Sequence, residues 1–186
     1  MSKKLSINAA IDYLSNQQVI AYPTESIFGL GCDPDSEKAV KQLLELKKRD
    51  INKGLILIAD NYQQLLPYID DDGLSTEQKN MMFESWPGHV TWILPKNSAT
   101  PYFITGQFDT IAVRVTAHPV VKALCHQYGK PIVSTSANLS GYAPCQTSEQ
   151  VQQQFGQSFP ILQGKLGNKT NPSQIRDSRN GQIIRY

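Results

Sequence analysis

The longest uninterrupted apolar run in this 186-residue chain is five residues, Leu55 to Ala59. A membrane-spanning helix needs about 20 such residues, so no helical bilayer span is expected. A short apolar run with no polar interruption fits a strand buried in a sheet. Such a strand needs paired neighbours and a cover, and the flanking sequence supplies both. Ile7, Ala10, Ile11 and Leu14 follow helical spacing and predict a helix from about Ser6 to Asn16. Val19 to Tyr22 reads as a strand stopped by Pro23, and the Gly, Pro and Asp content of residues 24–35 predicts a loop. Ser36 is placed to cap a helix that turns Ala39, Val40, Leu43, Leu44 and Leu46 inward.

The second half continues the pattern. Ser75 to Gln78 is a capping box ahead of a helix with Met81, Met82 and Trp86, and Thr147 to Gln150 is another ahead of a short Gln-rich helix. His89 to Leu94, Thr110 to Val115 and Pro131 to Ser134 read as strands, with Phe159 to Leu162 and Gln182 to Arg185 as late ones. Thr116 to Pro119 opens a helix that Gly129 closes. Residues 163–181 hold three Gly, three Asn and one Pro, which predicts an exposed loop. No linker or repeat divides the chain, so residues 1–186 are expected to form one domain. Hairpin-like neighbours interrupt the strand–helix alternation, which predicts an α/β domain with a mixed sheet.

Composition removes several function classes. Charges sum to +2, so no global field drives association with a polyanion. With 40% hydrophobic residues a chain of this length builds a core without metal or disulfide staples. Cys32, Cys125 and Cys145 are odd in number and lack a CxxC spacing, which fits a reducing cytosol, and Cys125 reads as core. His89, His118 and His126 are too few and too scattered to predict a metal site. Residues 164–170 lack the glycine that a P-loop needs before Lys-Thr.

Four segments carry chemistry-bearing residues. In Tyr22 to Gly31 a strand ends in a loop with Thr24, Ser26 and two glycines, the place where α/β sheets bind ligands. From spacing alone, an ordinary turn with satisfied hydroxyls is the plainer account of that segment. Lys47 to Gly54 has four basic residues in eight. Lys47 and Arg49 would point apart on a continuing helix and converge on one anion only if the helix ends there, as Asn52 and Gly54 indicate. Cations offsetting the helix dipole are the plainer alternative. Ser134 to Gly141 packs five hydroxyl or amide side chains into eight positions after an apolar strand, a set suited to phosphate oxygens or hydrated magnesium, or to a capping turn. Arg114 sits alone in the apolar run Ile111 to Val115 and must face solvent, a cleft or an anion.

Together these segments resemble the threonylcarbamoyl-AMP synthase family of the YrdC type. The residues that carry the resemblance are Tyr22 to Gly31, Lys47 and Arg49, Trp86 to Thr91, Ala112 to Val115, and Ser134 to Gly141. It extends to Asn171 to Asp177. The resemblance implies a single twisted mixed-sheet domain with a concave basic surface. It implies that L-threonine, bicarbonate and ATP give threonylcarbamoyl-AMP and pyrophosphate, ATP being a substrate that brings its own Mg2+. Partner proteins then modify an adenosine beside the tRNA anticodon in the cytoplasm. Carried onto these positions, Lys47 and Arg49 clamp the triphosphate, and Ser136 and Asn138 complete the phosphate and magnesium site. Thr24 holds threonine, Arg114 binds the nucleotide, Ser134 joins the substrate site, and Ser173 and Arg176 close over it. Asp50 stands where the family often has proline, which puts the path of that loop in question.

Two other functions compete. A non-catalytic module for double-stranded RNA or tRNA would show a salt slope of roughly −3 to −4 if Lys47, Lys48, Arg49 and Lys53 met phosphates, but the basic segment lacks aromatic stacking residues. An enzyme using carbamoyl phosphate, as in the similar domain of hydrogenase-maturation proteins, would sit in a much longer chain.

Overall fold

A computed structural model describes residues 3–185. Ten strands form one sheet: β1 (Lys3–Leu5), β2 (Ile20–Pro23), β3 (Phe28–Gly31), β4 (Ile56–Ala59), β5 (Val90–Pro95), β6 (Thr110–Val115), β7 (Ile132–Ser136), β8 (Pro160–Leu162), β9 (Gln174–Asp177) and β10 (Ile183–Arg185). Their order is β1-β8-β2-β3-β7-β4-β6-β5-β9-β10, with parallel and antiparallel pairs mixed. Six helices join them: α1 (Ile7–Ser15), α2 (Glu37–Lys47), α3 (Thr76–Ser85), α4 (Tyr102–Thr105), α5 (Pro119–Tyr128) and α6 (Ser148–Phe155). Local capping sets most helix ends. Ser6 and Ser36 accept the N–H groups of Ala9 and Ala39, Ser75 and Gln78 complete their capping box, and Gly129 ends α5 in the left-handed region. Thr147 caps α6, but the Gln150 side chain reaches back to Gln146 and leaves that second box half formed.

Side chains on a strand alternate between faces, and the two faces bury separate cores. Ala21, Leu57, Ala59, Val113 and Val133 join a core with residues of α2, α3, α4 and α6. Their strand neighbours Ile20, Tyr22, Ile58 and Ile132 join the other, covered by Ala10 and Leu14 of α1 and Val121, Leu124 and Cys125 of α5. Two residues beyond Tyr22 and Ile132, and two before Ile58, this second face continues as Thr24, Ser134 and Ile56. Those three line an open pocket.

Two expected loops contain strands. Residues 28–31 form β3, which pairs with both β2 and β7. Gly29 and Gly31 are there for close packing. A Cβ on Gly29 would lie 2.9 Å from Tyr22 Cζ, and one on Gly31 would lie 2.5 Å from the Val133 carbonyl oxygen. Within residues 163–181, β9 pairs in parallel with β5. The stretch before it lies against the 24–25 turn: Gly167 and Lys169 donate to the carbonyls of Thr24 and Glu25, both at 2.9 Å.

Replacing Gly31 with alanine drives a methyl into a backbone carbonyl that cannot rotate away. The expected loss is about 2 kcal/mol or more, read as a lower urea midpoint at unchanged slope.

Candidate active site

Helix α2 ends in a way that sends successive basic residues in different directions. Lys48 takes the left-handed conformation, its N–H donating to Glu45 and that of Arg49 to Leu44. This is a Schellman stop, and it ends the helix between Lys47 and Arg49, where their convergence requires it. Asp50 adopts φ −66°, the angle a proline ring would impose, and its carboxylate caps the following 3-10 turn by accepting from Asn52 N–H at 2.9 Å. The backbone at Asp50 thus has the φ that proline would fix, with the side chain adding a cap in its place.

Lys47 is buried, and its ammonium donates to the loop after β7. It reaches the carbonyl oxygen of Ser136, that of Asn138 at 3.0 Å and Asn138 Oδ1 at 3.3 Å. Asn138 spends its amide N–H groups inside the same loop, on Leu139 and Tyr142, and Ser136 donates to its Oδ1. Lys47 and Asn138 thus brace the loop from behind, while Ser134, Ser136 and Arg49 line the pocket. Arg49 donates to the Gly54 carbonyl, and its Nε is buried without a partner. Among the described residues no carboxylate lies within 4.0 Å of either cation. Burial first, then the nearby Arg49 charge, pull the Lys47 pKa down to about 8. A buried and a half-buried cation without a counter-ion make a site for an anion.

Arg114, also buried, is differently placed. Its Nη1 lies 3.2 Å from Glu25 Oε2 and 2.9 Å from His89 Nδ1. Glu25 Oε1 accepts from the Thr116 hydroxyl at 2.6 Å. Burial alone would raise the Glu25 carboxyl, but Arg114 and Thr116 hold it below its usual value. The arginine still lines the pocket, with Thr91 and His89 beside it. Thr24 lines it too, its hydroxyl donating to Ile27 across the β2–β3 turn.

Of the late pair, only Ser173 reaches the pocket, its hydroxyl 2.9 Å from that of Thr91. Arg176 lies opposite Trp92 on the other sheet face, 5.7 Å from its ring and bonded to Gln174. Arg185 occupies the wall instead. A bulge between Ile183 and Arg185 sets it opposite Ile175, on the pocket face, and it donates to the Ser173 carbonyl at 2.9 Å. The sequence reading missed Arg185, Glu25 and His89. Glu25 lies within Tyr22 to Gly31 and His89 within Trp86 to Thr91. The pocket is an open cleft with a cavity volume of about 180 Å3.

The Sua5/YciO/YrdC family model, described as telomere recombination, matches residues 12–186. A threonylcarbamoyl-AMP synthase of Photorhabdus laumondii is 59% identical over 180 residues, 97% of this chain and 95% of the relative. One of Serratia proteamaculans is 61% identical over 175 residues, 94% and 93% of the two chains. Among solved structures, P. abyssi Sua5 complexed with L-threonine is similar at TM-score 0.86 and 29% identity. That match takes in 95% of this chain and 54% of the longer Sua5 chain. E. coli YciO, at TM-score 0.83 and 23% identity over 100% and 94% of the chains, shares the fold.

Two outcomes are expected. Near pH 8 the free protein holds Lys47 about half protonated, and a polyphosphate raises its pKa again. ATP binding then takes up protons, and affinity falls as pH rises above that point. Calorimetry in buffers of different ionisation heat reads the uptake, which Lys47→Met abolishes. Separately, Arg185→Ala weakens ATP binding about tenfold or more, the worth of a charge-assisted bond, while Arg176→Ala leaves it within about twofold because that side chain faces away.

Proposed function

The chain belongs to the Sua5/YciO/YrdC family, and on that premise we propose that its pocket makes threonylcarbamoyl-AMP and pyrophosphate from L-threonine, bicarbonate or CO2, and ATP. It is a nucleotidyltransferase. The observation that carries this reading is the pair Lys47 and Arg49, buried or half-buried without a carboxylate, beside the hydroxyls of Ser134 and Ser136. That arrangement suits a triphosphate. Relatives named for the same product are 59% and 61% identical over nearly the whole chain. The P. abyssi Sua5 complex supports threonine as the amino acid.

The threonine amine adds to CO2 and loses a proton, giving a carbamate. A carbamate oxygen then attacks the α-phosphorus of ATP, and the bond to pyrophosphate breaks. The protein contributes positioning and charge. Arg49 meets the phosphates directly. Lys47 acts by its field and by fixing the 136–138 carbonyls, so that Ser134 presents its hydroxyl to phosphate oxygens and Ser136, whose proton is on Asn138 Oδ1, offers its oxygen lone pairs to the water shell of Mg2+ travelling with ATP. Asn138 shares the loop-holding task. Thr24 sits where the threonine would lie, Arg114 and Ser173 border the nucleotide, and Arg185 takes the role that the resemblance gives to Arg176. The product passes to partner proteins that modify tRNA in the cytoplasm.

Pyrophosphate release tests the reading. It is expected to require both L-threonine and bicarbonate, with serine a poor substitute. Arg49→Ala is expected to lower kcat/KM by about tenfold to over a hundredfold. Release without threonine, or with carbamoyl phosphate in place of bicarbonate and threonine, would refute it.

A further inference from the structure

His89 enters the pocket wall between α3 and β5, and both ring nitrogens are engaged. Nδ1 lies 2.9 Å from Arg114 Nη1, and Nε2 lies 2.8 Å from the Asn171 carbonyl oxygen. A guanidinium only donates and a carbonyl only accepts. Together the two contacts admit one ring state, neutral with its proton on Nε2. The charged groups facing it are Arg114 from β6, Glu25 from the β2–β3 turn, with Oε2 4.0 Å from Nδ1, and Lys169 from the segment before β9. Burial lowers the His89 pKa. The Asn171 bond and Glu25 oppose that, Arg114 and Lys169 add to it, and the net direction is down.

Asn171 directly precedes Pro172 and Ser173, which line the pocket. Upstream, residues 167 and 169 are tied by backbone bonds to the β2–β3 turn. Downstream, Thr91 and Arg185 hold Ser173. His89 fastens the span between these two anchor points, and its other nitrogen rests on the buried Arg114–Glu25 pair.

We infer that His89 is a positioning residue that ties the Arg114–Glu25 pair to residues 171–173, and that it does so only while its ring is neutral. Protonation sets an Nδ1–H against the Arg114 N–H. The charged ring keeps its Nε2–H on the Asn171 carbonyl, while the new Nδ1–H breaks the tie to Arg114 and competes with it for Glu25 Oε2. The pocket wall loosens as pH falls. Which substrate feels this rests on the synthase reading; the structural coupling does not.

The test has two arms. In histidine-labelled protein, NMR nitrogen shifts are expected to show His89 as the Nε2–H tautomer, titrating below the usual 6.5. The amide shifts of Asn171 and Ser173 are expected to follow the same curve and to lose it in His89→Gln. An Nδ1–H tautomer, or 171–173 amides indifferent to His89, would overturn the inference. In pyrophosphate release, the KM for threonine or ATP is expected to rise roughly three- to tenfold between about pH 7.5 and 5.5, the worth of one hydrogen bond, with kcat changing less. His89→Ala carries the raised KM at both pH values. His89→Gln, whose amide offers an acceptor and a donor without titrating, recovers most of that loss and flattens the profile. Bicarbonate speciation affects all three proteins alike, so the comparison is between proteins at each pH. A Gln variant with the wild-type pH dependence would overturn the inference. Absence of pyrophosphate release in every protein would refute the synthase reading, and the NMR arm alone would then decide the role of His89.

Discussion

Strand side chains alternate, and in this molecule that alternation decides where a pocket can exist. Ten strands share one sheet, and both of its faces bury apolar cores. The face under α2, α3, α4 and α6 takes Phe28, Leu30, Leu57 and Val113. The α1–α5 layer covers only part of the other, where Ile20, Tyr22, Ile58 and Ile132 lie. Past that cover, the same face presents Thr24, Gly29, Ser134, Ser136, Thr91 and Arg114. The site is thus the bare remainder of an otherwise packed surface, and its groups stand on strands whose opposite sides are fixed in a core. That rigidity is what a positioning enzyme needs. The β2–β3 hairpin completes the floor by lying flat, which the Tyr22 ring over two glycines permits.

The cations of the site fall into two electrostatic kinds. Arg114 has a resident anion in Glu25, itself held by Thr116. That pair is locally neutral and acts as structure, a wall against which His89 rests. Lys47 and Arg49 have carbonyl oxygens and, among the described residues, no carboxylate. Carbonyl dipoles solvate a cation without cancelling its charge, so the field of these two groups extends into the pocket. One kind shapes the site and the other attracts what enters it.

Local chemistry made much of this legible in the sequence. Ser6, Ser36, Ser75 and Gly129 act on backbone groups within a few residues, and the ends they predict are the ends found. The ligand-bearing segments were visible too, because hydroxyls and basic residues crowd at strand ends. What stayed hidden depends on distant contacts. Gly29 and Gly31 look like loop residues until Tyr22 and Val133 are seen against them. Lys47 reads as a free cation in the sequence, and only the fold brings the Ser136 and Asn138 carbonyls around its ammonium. Arg176 and Arg185 have the same chemistry, but pairing with Trp92 turns Arg176 to the far face and a bulge in β10 turns Arg185 to the pocket. Glu25 looks misplaced in an anion site until Arg114 is brought beside it. No local pattern encodes any of these four.

The unpaired cations also bear on why the site is built as it is. The depressed Lys47 pKa means that the fold favours the neutral amine there, so its charge at neutral pH counts against stability. A glutamate beside Lys47 would remove that penalty by pairing with it, and would stabilise the free protein. It would also cancel the field in the pocket and repel a triphosphate. The present arrangement leaves the compensating charge to be supplied by the ligand, so binding relieves a strain that folding has left in place. A ligand that binds only the folded state stabilises it in turn. The same absence that lowers the stability of the empty protein therefore makes polyanion binding favourable.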